Sequence, residues 1–349
     1  MISRTHFRCM KIAIDAMGGD DAPEVVIAGA KAALQAYSEL ETLILVGDQA
    51  QLDPLITQYA LPTARIRVVH TDEMVEMHES GAKMLRKKKK ASITLTANLV
   101  KQGDADAMVG AGNTGAAVAN ATIKLRTLAG ISKAAIGSVL PSNFGSCLLM
   151  DAGANPDPRP ENLVESAVMG SIYMRNLYQV AKPKVGIMSN GEEEEKGTDL
   201  TRAAHMRIKE LIAEGKDLPF EYVGYVEGRD IFLTDLDVCV TDGFTGNVIL
   251  KSVEGLAKGM SSWIRAEYQR NIFTKIAGLL SKPVFSRVRA RTSHEKAGGS
   301  LLLGVNGICV IGHGSSTAFA IQNAIRLAMN SVHHEINPDI ISVMDHLNA

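Results

Sequence analysis

Short apolar runs alternate with longer amphipathic stretches along almost the whole chain. The short runs have the length of buried strands, whereas the longer stretches place apolar residues three to four positions apart, as helices do. The pattern predicts strands at Lys11–Asp15, Leu43–Gly47, Ile66–His70, Ala107–Gly110, Ala135–Leu140, Cys147–Asp151, Lys184–Ser189, Val238–Thr241 and Ile308–Gly312. It predicts helices at Pro23–Tyr37, Ile93–Lys101, Gly115–Leu128, Glu161–Leu177, Asp199–Glu214, Gly246–Tyr268 and Ser315–His333.

Strands that alternate with helices form a mainly parallel sheet with helices on both faces. No internal repeat, low-complexity tract or Pro/Ser-rich linker marks a domain boundary. The first strand begins at Lys11, so residues 1–9 are expected to contribute little. The sequence therefore predicts one α/β/α unit over residues 10–335, either undivided or with two lobes.

Six of the predicted strands end in loops of similar composition, which combine glycine with Asp, Asn, Ser or Thr. These loops are Asp15–Asp20, Gly110–Gly115, Asp151–Asn155, Ser189–Glu192, Thr241–Asn247 and Gly312–Ser316. Ligands of open α/β sheets bind outside the carboxyl ends of the strands, and glycine lets main-chain amides approach an anion there. One such loop alone is better explained as a turn or a helix cap. Six together predict a common crevice for an anionic ligand.

Gly110, Gly112 and Gly115 match the G-x-G-x-x-G pattern of dinucleotide-binding loops. A nicotinamide site would also need an acidic residue about 20 positions further on, to hold the ribose hydroxyl. No Asp or Glu occurs from Ala116 to Met150. The loop is therefore compatible with a bare phosphate or phosphoryl group rather than with a dinucleotide.

The composition narrows the class of protein. Apolar residues make up 46% of the chain and charged residues 21%, as in a globular protein. The net charge of −1 argues against bulk nucleic-acid binding, which relies on excess Lys and Arg. The four cysteines are far apart, and three lie in predicted strands, which indicates reduced core thiols in a cytoplasmic protein. We expect no signal peptide and no membrane-spanning segment.

Two residues in polar loops are candidates for chemistry. Lys196 follows four consecutive glutamates, Glu192–Glu195, and it either contacts a phosphate or belongs to a solvated helix start. His313 lies between a predicted strand and glycine, and it is either a proton donor or a structural histidine. The nine histidines show no zinc-binding spacing, so no catalytic metal is predicted.

Two basic stretches predict surfaces. Lys87, Lys88, Lys89 and Lys90 form either a solvated face or a dock for an acidic protein. From residue 268 to residue 294 the chain has no acidic residue, and Pro283 is expected to interrupt this segment. Its apolar face predicts contact with an anionic membrane or with a partner, and burial in the core is the alternative. The proposed membrane contacts on that face are Phe273, Ile276 and Leu280.

Several of these loops, taken in order, resemble the phosphate acyltransferase family of bacterial phospholipid synthesis. The segments that carry the resemblance are Lys11–Asp20, Gly112–Ala116, Asn190–Glu194, Lys196–Gly197, Thr241–Val248, Gly298–Gly304 and His313–Gly314. Together they extend from about residue 11 to residue 330. Ala91 departs from the family pattern, in which members often carry a second serine before Ser92, so a role for a hydroxyl at this position is in doubt.

The resemblance implies a Rossmann-like three-layer α/β/α fold with a mostly parallel sheet, related to phosphotransacetylases and to isocitrate and isopropylmalate dehydrogenases. It implies transfer of a long-chain fatty acyl group from acyl carrier protein to inorganic phosphate, by a homodimer without a metal or organic cofactor. A membrane acyltransferase that passes the acyl group to glycerol 3-phosphate is the implied downstream partner. The protein is accordingly expected to be cytoplasmic and peripherally membrane-associated.

The chemistry of this reaction assigns roles to the loop residues. Phosphate is already nucleophilic, so the site mainly positions it and stabilises charge. The expected phosphate contacts are Gly112, Thr114, Gly115, Lys196, Asn247 and Lys251. The expected catalytic residues are Asn113 or Asn190 as oxyanion donor, His313 as proton donor to the departing sulfur, and Asp15 or Asp242 as orienting groups.

Lys87–Lys90 are the expected contact for acyl carrier protein, which is acidic. Three alternatives remain open at this point. They are a phosphotransacylase that uses coenzyme A thioesters, a metal-dependent dehydrogenase on the same fold, and a non-enzymatic membrane scaffold built around the basic amphipathic segment.

Overall fold

The computed structural model describes residues 9–292 and 296–348. Its strands are β1 (Met10–Asp15), β2 (Leu40–Gly47), β3 (Ile66–His70), β4 (Ala107–Gly110), β5 (Ala135–Ser142), β6 (Gly145–Met150), β7 (Lys184–Met188), β8 (Glu221–Val226), β9 (Val238–Val240), β10 (Ser300–Leu303) and β11 (Ile308–Ile311). Its α-helices are α1 (Glu24–Ala36), α2 (Gln49–Gln58), α3 (Gly81–Lys87), α4 (Ser92–Gln102), α5 (Thr114–Leu125), α6 (Pro160–Tyr178), α7 (Asp199–Ala213), α8 (Asp230–Leu233), α9 (Gly243–Tyr268), α10 (Ile272–Thr292), α11 (Ala318–His333) and α12 (Ile336–Asn348).

A single sheet carries the eleven strands in the order β3-β2-β1-β4-β11-β10-β5-β6-β9-β7-β8. Most neighbours are parallel, but β10 runs antiparallel to both β11 and β5, and β5 runs antiparallel to β6. The strands β3, β2, β1, β4, β11 and β5 therefore point in one direction. The strands β10, β6, β9, β7 and β8 point in the other.

Helices cover both faces of this sheet. On one face α1, α2, α6, α7, α11 and α12 pack into a large apolar core with residues such as Ile27, Ile208 and Ile321. On the other face α4 and α5 pack on the first half of the sheet, and α8 with the start of α9 packs on the second half. The predicted three-layer α/β/α fold with a mostly parallel sheet is confirmed.

Local chemistry sets where the helices begin. Six of them start at a side chain that accepts a main-chain N–H of the first turn, which satisfies a group that has no partner inside the helix. These caps are Asp48, Asn113, Thr198, Asp242, Asn271 and Thr317. Two of the caps, Asn113 and Asp242, were expected to act in catalysis, and both are occupied in holding a helix.

The structure contains elements that the sequence pattern did not predict. These are β8, β10, α2, α3, α8 and α12. α12 lies beyond the predicted end of the unit at residue 335, and its Ile336, Ile340 and Met344 belong to the core. Helix α10 runs through Pro283, so the prediction that this proline interrupts the segment is wrong. Pro283 is exposed, so water can solvate the carbonyl that loses its helical partner.

Helices α9 and α10 form a hairpin with a largely exposed surface. Only Gly243 and Gly246 of α9 are buried. The Tyr268 ring meets the edge of Phe285 with 5.6 Å between centroids, so the two helices fold back on each other. The predicted basic amphipathic segment covers α10, although residues 293 and 294 lie outside the described residues. None of the described helices is long and apolar enough to cross a membrane.

Candidate active site

The six glycine-containing loops lie at two opposite ends of the sheet. The loops after β1, β4 and β11 lie together, because these three strands are parallel neighbours. The loops after β6, β7 and β9 also lie on parallel neighbours, but the antiparallel pairing of β5 with β6 points them the other way. The prediction that all six loops meet at one crevice is therefore wrong.

In the first loop cluster, after β1, β4 and β11, the main chains approach very closely. A Cβ on Gly18 would lie 2.9 Å from the Gly112 nitrogen. The Asp20 main-chain N–H donates to the Gly314 carbonyl at 2.8 Å, and Gly312 donates to Gly110 at 2.8 Å. Glycine is required at Gly18 because any side chain would separate the loops after β1 and β4.

Helix α5 starts at the centre of this cluster. Asn113 Oδ1 accepts the Ala116 N–H at 2.9 Å, which caps the helix. Its Nδ2 group donates to the carbonyls of Glu76, Met77 and Glu79, at 3.1, 3.1 and 2.7 Å. Both ends of the amide are thus occupied, so the prediction that Asn113 donates to an oxyanion is not supported.

The first turn of α5 is nevertheless accessible. Thr114 and Gly115 are exposed and Gly112 is half-buried. Main-chain N–H groups at the start of a helix, together with the helix dipole, favour a bound anion. This geometry is compatible with phosphate at Gly112, Thr114 and Gly115, which stays a prediction.

Asp15 is buried beside this helix start. It lines a narrow crevice with Val75, Asn113 and Ala116. Burial raises the pKa of its carboxyl group, although Ser92 and the Met17 N–H, at 3.1 Å, lower it. The Ser92 hydroxyl is close enough to act on this pKa but lies outside hydrogen-bonding geometry. A raised pKa lets a carboxyl group keep its proton to a higher pH than an exposed one does, which suits it to hold or pass a proton.

His313 is exposed in the loop after β11. Its Nδ1 accepts the main-chain N–H of Ser315 at 3.2 Å and lies 2.9 Å from the Ser315 hydroxyl oxygen. Because Nδ1 is an acceptor, a neutral imidazole carries its proton on Nε2. The ring is thus oriented as a donor through Nε2.

The second loop cluster, after β6, β7 and β9, is built around Asp151. Its Oδ1 accepts the N–H groups of Ile136, Gly153 and Ala154, and its Oδ2 accepts that of Asn155 at 2.7 Å. The Gly243 N–H donates to Asn155 O at 2.8 Å, which fixes the start of α9 against this loop. Asp151 therefore organises the cluster, a role the sequence pattern did not reveal.

The remaining candidates near this second cluster have mostly structural contacts. Asp242 accepts the Thr245 N–H at 2.8 Å and its hydroxyl at 2.7 Å, so it orients the loop before α9. Asn247 packs against Gly153, and Lys251 pairs with Glu254 at 3.0 Å. Helix α9, which carries both residues, begins at the end of the sheet opposite to the start of α5.

The loop between β7 and α7 holds the four glutamates. Glu194 pairs with Lys209, and Glu192 lies 4.0 Å from Arg229, so counter-charges come from outside the loop. Asn190 Oδ1 accepts the Gly197 N–H at 2.9 Å and shapes the loop. Lys196 is half-buried here, also away from α5. The expected phosphate contacts thus fall into two separate groups.

The four lysines of the basic run are not equivalent. Lys87, Lys89 and Lys90 are exposed. Lys88 is half-buried and pairs with Glu79 at 2.6 Å. Lys88 lies beside the first loop cluster, because its partner Glu79 is one of the residues that Asn113 binds. The other three lysines are its neighbours in the chain.

The predicted membrane face of α10 is solvent-exposed within the subunit. Phe273 is 81% exposed, Leu280 75% and Ile276 52%. The alternative that this face is buried in the core of the subunit is therefore wrong. Among residues 9–292 and 296–348, no group of three or more His, Cys, Asp or Glu could hold a metal ion.

Comparison with known proteins supplies the context for this geometry. Residues 10–338 match the family described as fatty acid synthesis protein. A phosphate acyltransferase of Akkermansia muciniphila is 48% identical over 340 residues, 97% of each chain. One of Halothermothrix orenii is 44% identical, over 94% of this chain and 96% of that one. A phosphotransacetylase structure from Streptococcus pyogenes superposes with a TM-score of 0.61 at 18% identity, over 93% of this chain and 94% of that one, and so shares the fold.

Proposed function

The chain belongs to the fatty acid synthesis protein family and is an acyltransferase, and from this premise we propose that it moves a long-chain fatty acyl group from acyl carrier protein to inorganic phosphate. The observation that carries the proposal is the accessible start of α5 between buried Asp15 and exposed His313. A helix start of this kind suits a small anion, and the neighbouring residues can serve a proton transfer.

The reaction requires one bond to form and one to break. A phosphate oxygen held at Gly112, Thr114 and Gly115 attacks the thioester carbonyl carbon. The resulting oxyanion collapses, the carbon–sulfur bond breaks, and the sulfur takes a proton from Nε2 of the imidazolium form of His313. The ring is left neutral, with its remaining Nδ1–H next to the Ser315 hydroxyl oxygen. The products are acyl-phosphate and the free thiol of the carrier. Main-chain amides at the α5 start, rather than Asn113, stabilise the developing negative charge.

The remaining predicted residues have indirect roles in this proposal. Asp15 holds a proton near the reacting phosphate, and Asp242 orients its own loop. Asn190, Lys196, Asn247 and Lys251 are left out of the phosphate site of the same subunit, because their loops point the other way along the sheet.

The direct test is incubation of the purified protein with inorganic phosphate and either palmitoyl-acyl carrier protein or palmitoyl-coenzyme A. We expect acyl-phosphate from the carrier-bound donor at much the higher kcat/KM. Efficient use of only the coenzyme A thioester would favour the second candidate, a phosphotransacylase, which the fold of the Streptococcus pyogenes phosphotransacetylase keeps open. No acyl-phosphate from either donor would refute both.

The exposed lysines beside the site are the proposed dock for the acidic carrier. Replacing Lys87, Lys89 and Lys90 with glutamate should raise KM for acyl carrier protein about tenfold at low salt, because like charges then face each other. The effect should shrink as salt rises, since the screening length is about 10 Å at 0.1 M. Steady-state kinetics across a salt series measure it. Lys101→Glu, at an exposed lysine at the end of α4, is the control, and a salt-independent KM in the triple variant would contradict the dock.

A homodimer and a peripheral membrane contact complete the proposal. Helix α9 exposes Leu256, Met260 and Trp263, and α10 exposes Phe273 and Leu280. Apolar surface of this extent typically marks interaction sites. We assign the α9 residues to a second copy of the chain and the α10 residues to lipid. Acyl-phosphate is reactive and poorly soluble, so production at the bilayer suits transfer to a membrane glycerol 3-phosphate acyltransferase.

The membrane assignment can be tested by replacing both Phe273 and Leu280 with aspartate. We expect the variant to lose co-sedimentation with vesicles rich in anionic lipid, because apolar insertion is lost and negative charge is added. The wild type should bind such vesicles more strongly than vesicles of zwitterionic lipid alone. If the variant unfolds, or dissociates in sedimentation analysis, the face is an interface within the dimer and the membrane assignment is wrong.

A further inference from the structure

The segment between β3 and α3 lies against the candidate active site without regular secondary structure. We call residues 72–80 the covering loop. Three of its carbonyls, from Glu76, Met77 and Glu79, accept hydrogen bonds from Asn113 at the start of α5. One side of the covering loop is therefore fixed by the helix that is proposed to hold phosphate.

Lys88 holds the other side of the covering loop. Its Nζ donates to Glu79 Oε2 at 2.6 Å and to the Met74 carbonyl at 2.9 Å. The same Glu79 oxygen also accepts the Glu76 N–H at 2.9 Å. The side chains of Lys88 and Glu79 are only 30% and 20% exposed, in contrast to the exposed lysines that flank Lys88. The Lys88 hydrogen bond lowers the pKa of Glu79, which favours the ionised form of this carboxylate.

The covering loop also touches both of the groups that would act on protons. Val75 lines the narrow crevice of Asp15. Met77 packs against the loop of His313, since a Cβ on Gly314 would lie 2.7 Å from the Met77 Cε. A movement of the covering loop would therefore reach the Asp15 crevice, the start of α5 and the His313 loop together.

We propose that Lys88 is a positioning residue of the active site, and that the basic run is divided between Lys88 and the three docking lysines. Lys88 acts through Glu79 and the Met74 carbonyl on the covering loop, and it does not contact the carrier. The proposal rests on the proposed function, because it concerns the same site. A salt bridge with little exposure and a main-chain acceptor is suited to this role, whereas exposed lysines gain little from fixed partners.

The test is Lys88→Met, which keeps an unbranched apolar chain as far as the Cε position and removes the ammonium group. We expect kcat/KM to fall about tenfold to a hundredfold with both the carrier-bound and the coenzyme A thioester, because small displacements of reacting groups are costly. The loss should be independent of salt and should fall mainly on kcat. Lys88→Arg should restore most of the activity, since it keeps a charged donor to Glu79.

Glu79→Gln provides a second route to the same broken pair. It should reproduce the Lys88→Met defect, and the double variant should be no worse than either single one, as expected for two groups that act together. Amide hydrogen exchange in residues 73–80 should speed up in each variant while the sheet core is unchanged. Lys83→Met, at an exposed lysine of α3, should keep wild-type kinetics and exchange.

Each outcome separates this proposal from the proposed function. If the wild type makes acyl-phosphate but Lys88→Met raises only the carrier KM in a salt-dependent manner, Lys88 is a docking residue and the positioning role is wrong. If Lys88→Met lowers the melting temperature together with the activity, and amide hydrogen exchange becomes faster throughout the protein, Lys88 has a global structural role. That result would also overturn the proposal. If the wild type makes no acyl-phosphate, the proposed function itself fails.

Discussion

Replacing His313 with glutamine should slow acyl transfer from an alkyl thioester by about a hundredfold to ten-thousandfold, the usual contribution of a general acid. Nδ1 of this ring accepts the Ser315 N–H, so Nε2 carries the proton of the neutral form. Glutamine is similar in size but cannot give up a proton to the departing sulfur. Single-turnover measurement of acyl-phosphate formation isolates the chemical step.

The leaving group distinguishes acid catalysis from a role in shaping the loop. In a thioester of a more acidic thiol, such as thiophenol, the thiolate leaves without being protonated. The variant should therefore approach the wild-type rate on that substrate. His346→Gln, at an exposed histidine near the end of α12, is the matched control. An equally large loss on both thioesters would show that His313 positions the loop after β11 and does not protonate sulfur.

Gly81→Ala should also abolish most of the activity, for a steric reason. A Cβ on Gly81 would lie 2.2 Å from the Ala116 nitrogen and 2.4 Å from the Gly115 carbonyl carbon. Both atoms are main-chain atoms at the start of α5, so no side chain can move aside and α3 must shift instead. Overpacking of this kind costs about 1–3 kcal/mol of unfolding free energy. Turnover should fall further than stability, because the displaced helix carries the covering loop with it.

Thermal unfolding and steady-state kinetics on the same samples test this expectation. Gly228→Ala is the control, since a Cβ there meets nothing within 4 Å and the main chain is in an ordinary conformation. It should match the wild type in both measurements. A Gly81→Ala protein with normal kinetics would mean that the contact between α3 and α5 does not shape the site.

Much of the fold was predictable because its strands are buried and its helices amphipathic. All four residues of β4 are buried, which gives a short continuous apolar run. Two strands, β8 and β10, were not predicted, and the reason can be given for each. β8 is an edge strand with a mixed pattern of exposed and buried residues, so it lacks a clean apolar run. β10 has four residues between Gly299 and Gly304, and its composition reads as a loop motif.

The candidate site was less predictable, because the local composition of a strand does not show in which direction the strand runs in the sheet. The glycine-containing loops identified six real strand ends, but the turn between Ser142 and Gly145 reverses the chain and separates them into two groups. Lys88 could not be distinguished from the three adjacent lysines by sequence alone, since only the structure shows that it pairs with Glu79. Asn113 lies at the start of α5, and only its bonds show that it is a cap and a loop anchor.

The position of β11 in the sheet has a consequence for synthesis of the protein. In the sheet, β11 pairs with β4, and β10 lies between β11 and β5. In the chain, β10 and β11 are the last two strands and follow β9. During translation, β4 therefore leaves the ribosome long before its neighbour β11, whereas β6 and β7 are followed by their shared neighbour β9 after a much shorter stretch of chain. The nascent first half must wait with an open apolar edge, a state prone to aggregation. We expect the second half of the sheet to fold first and ribosome-bound chaperones to attend the first.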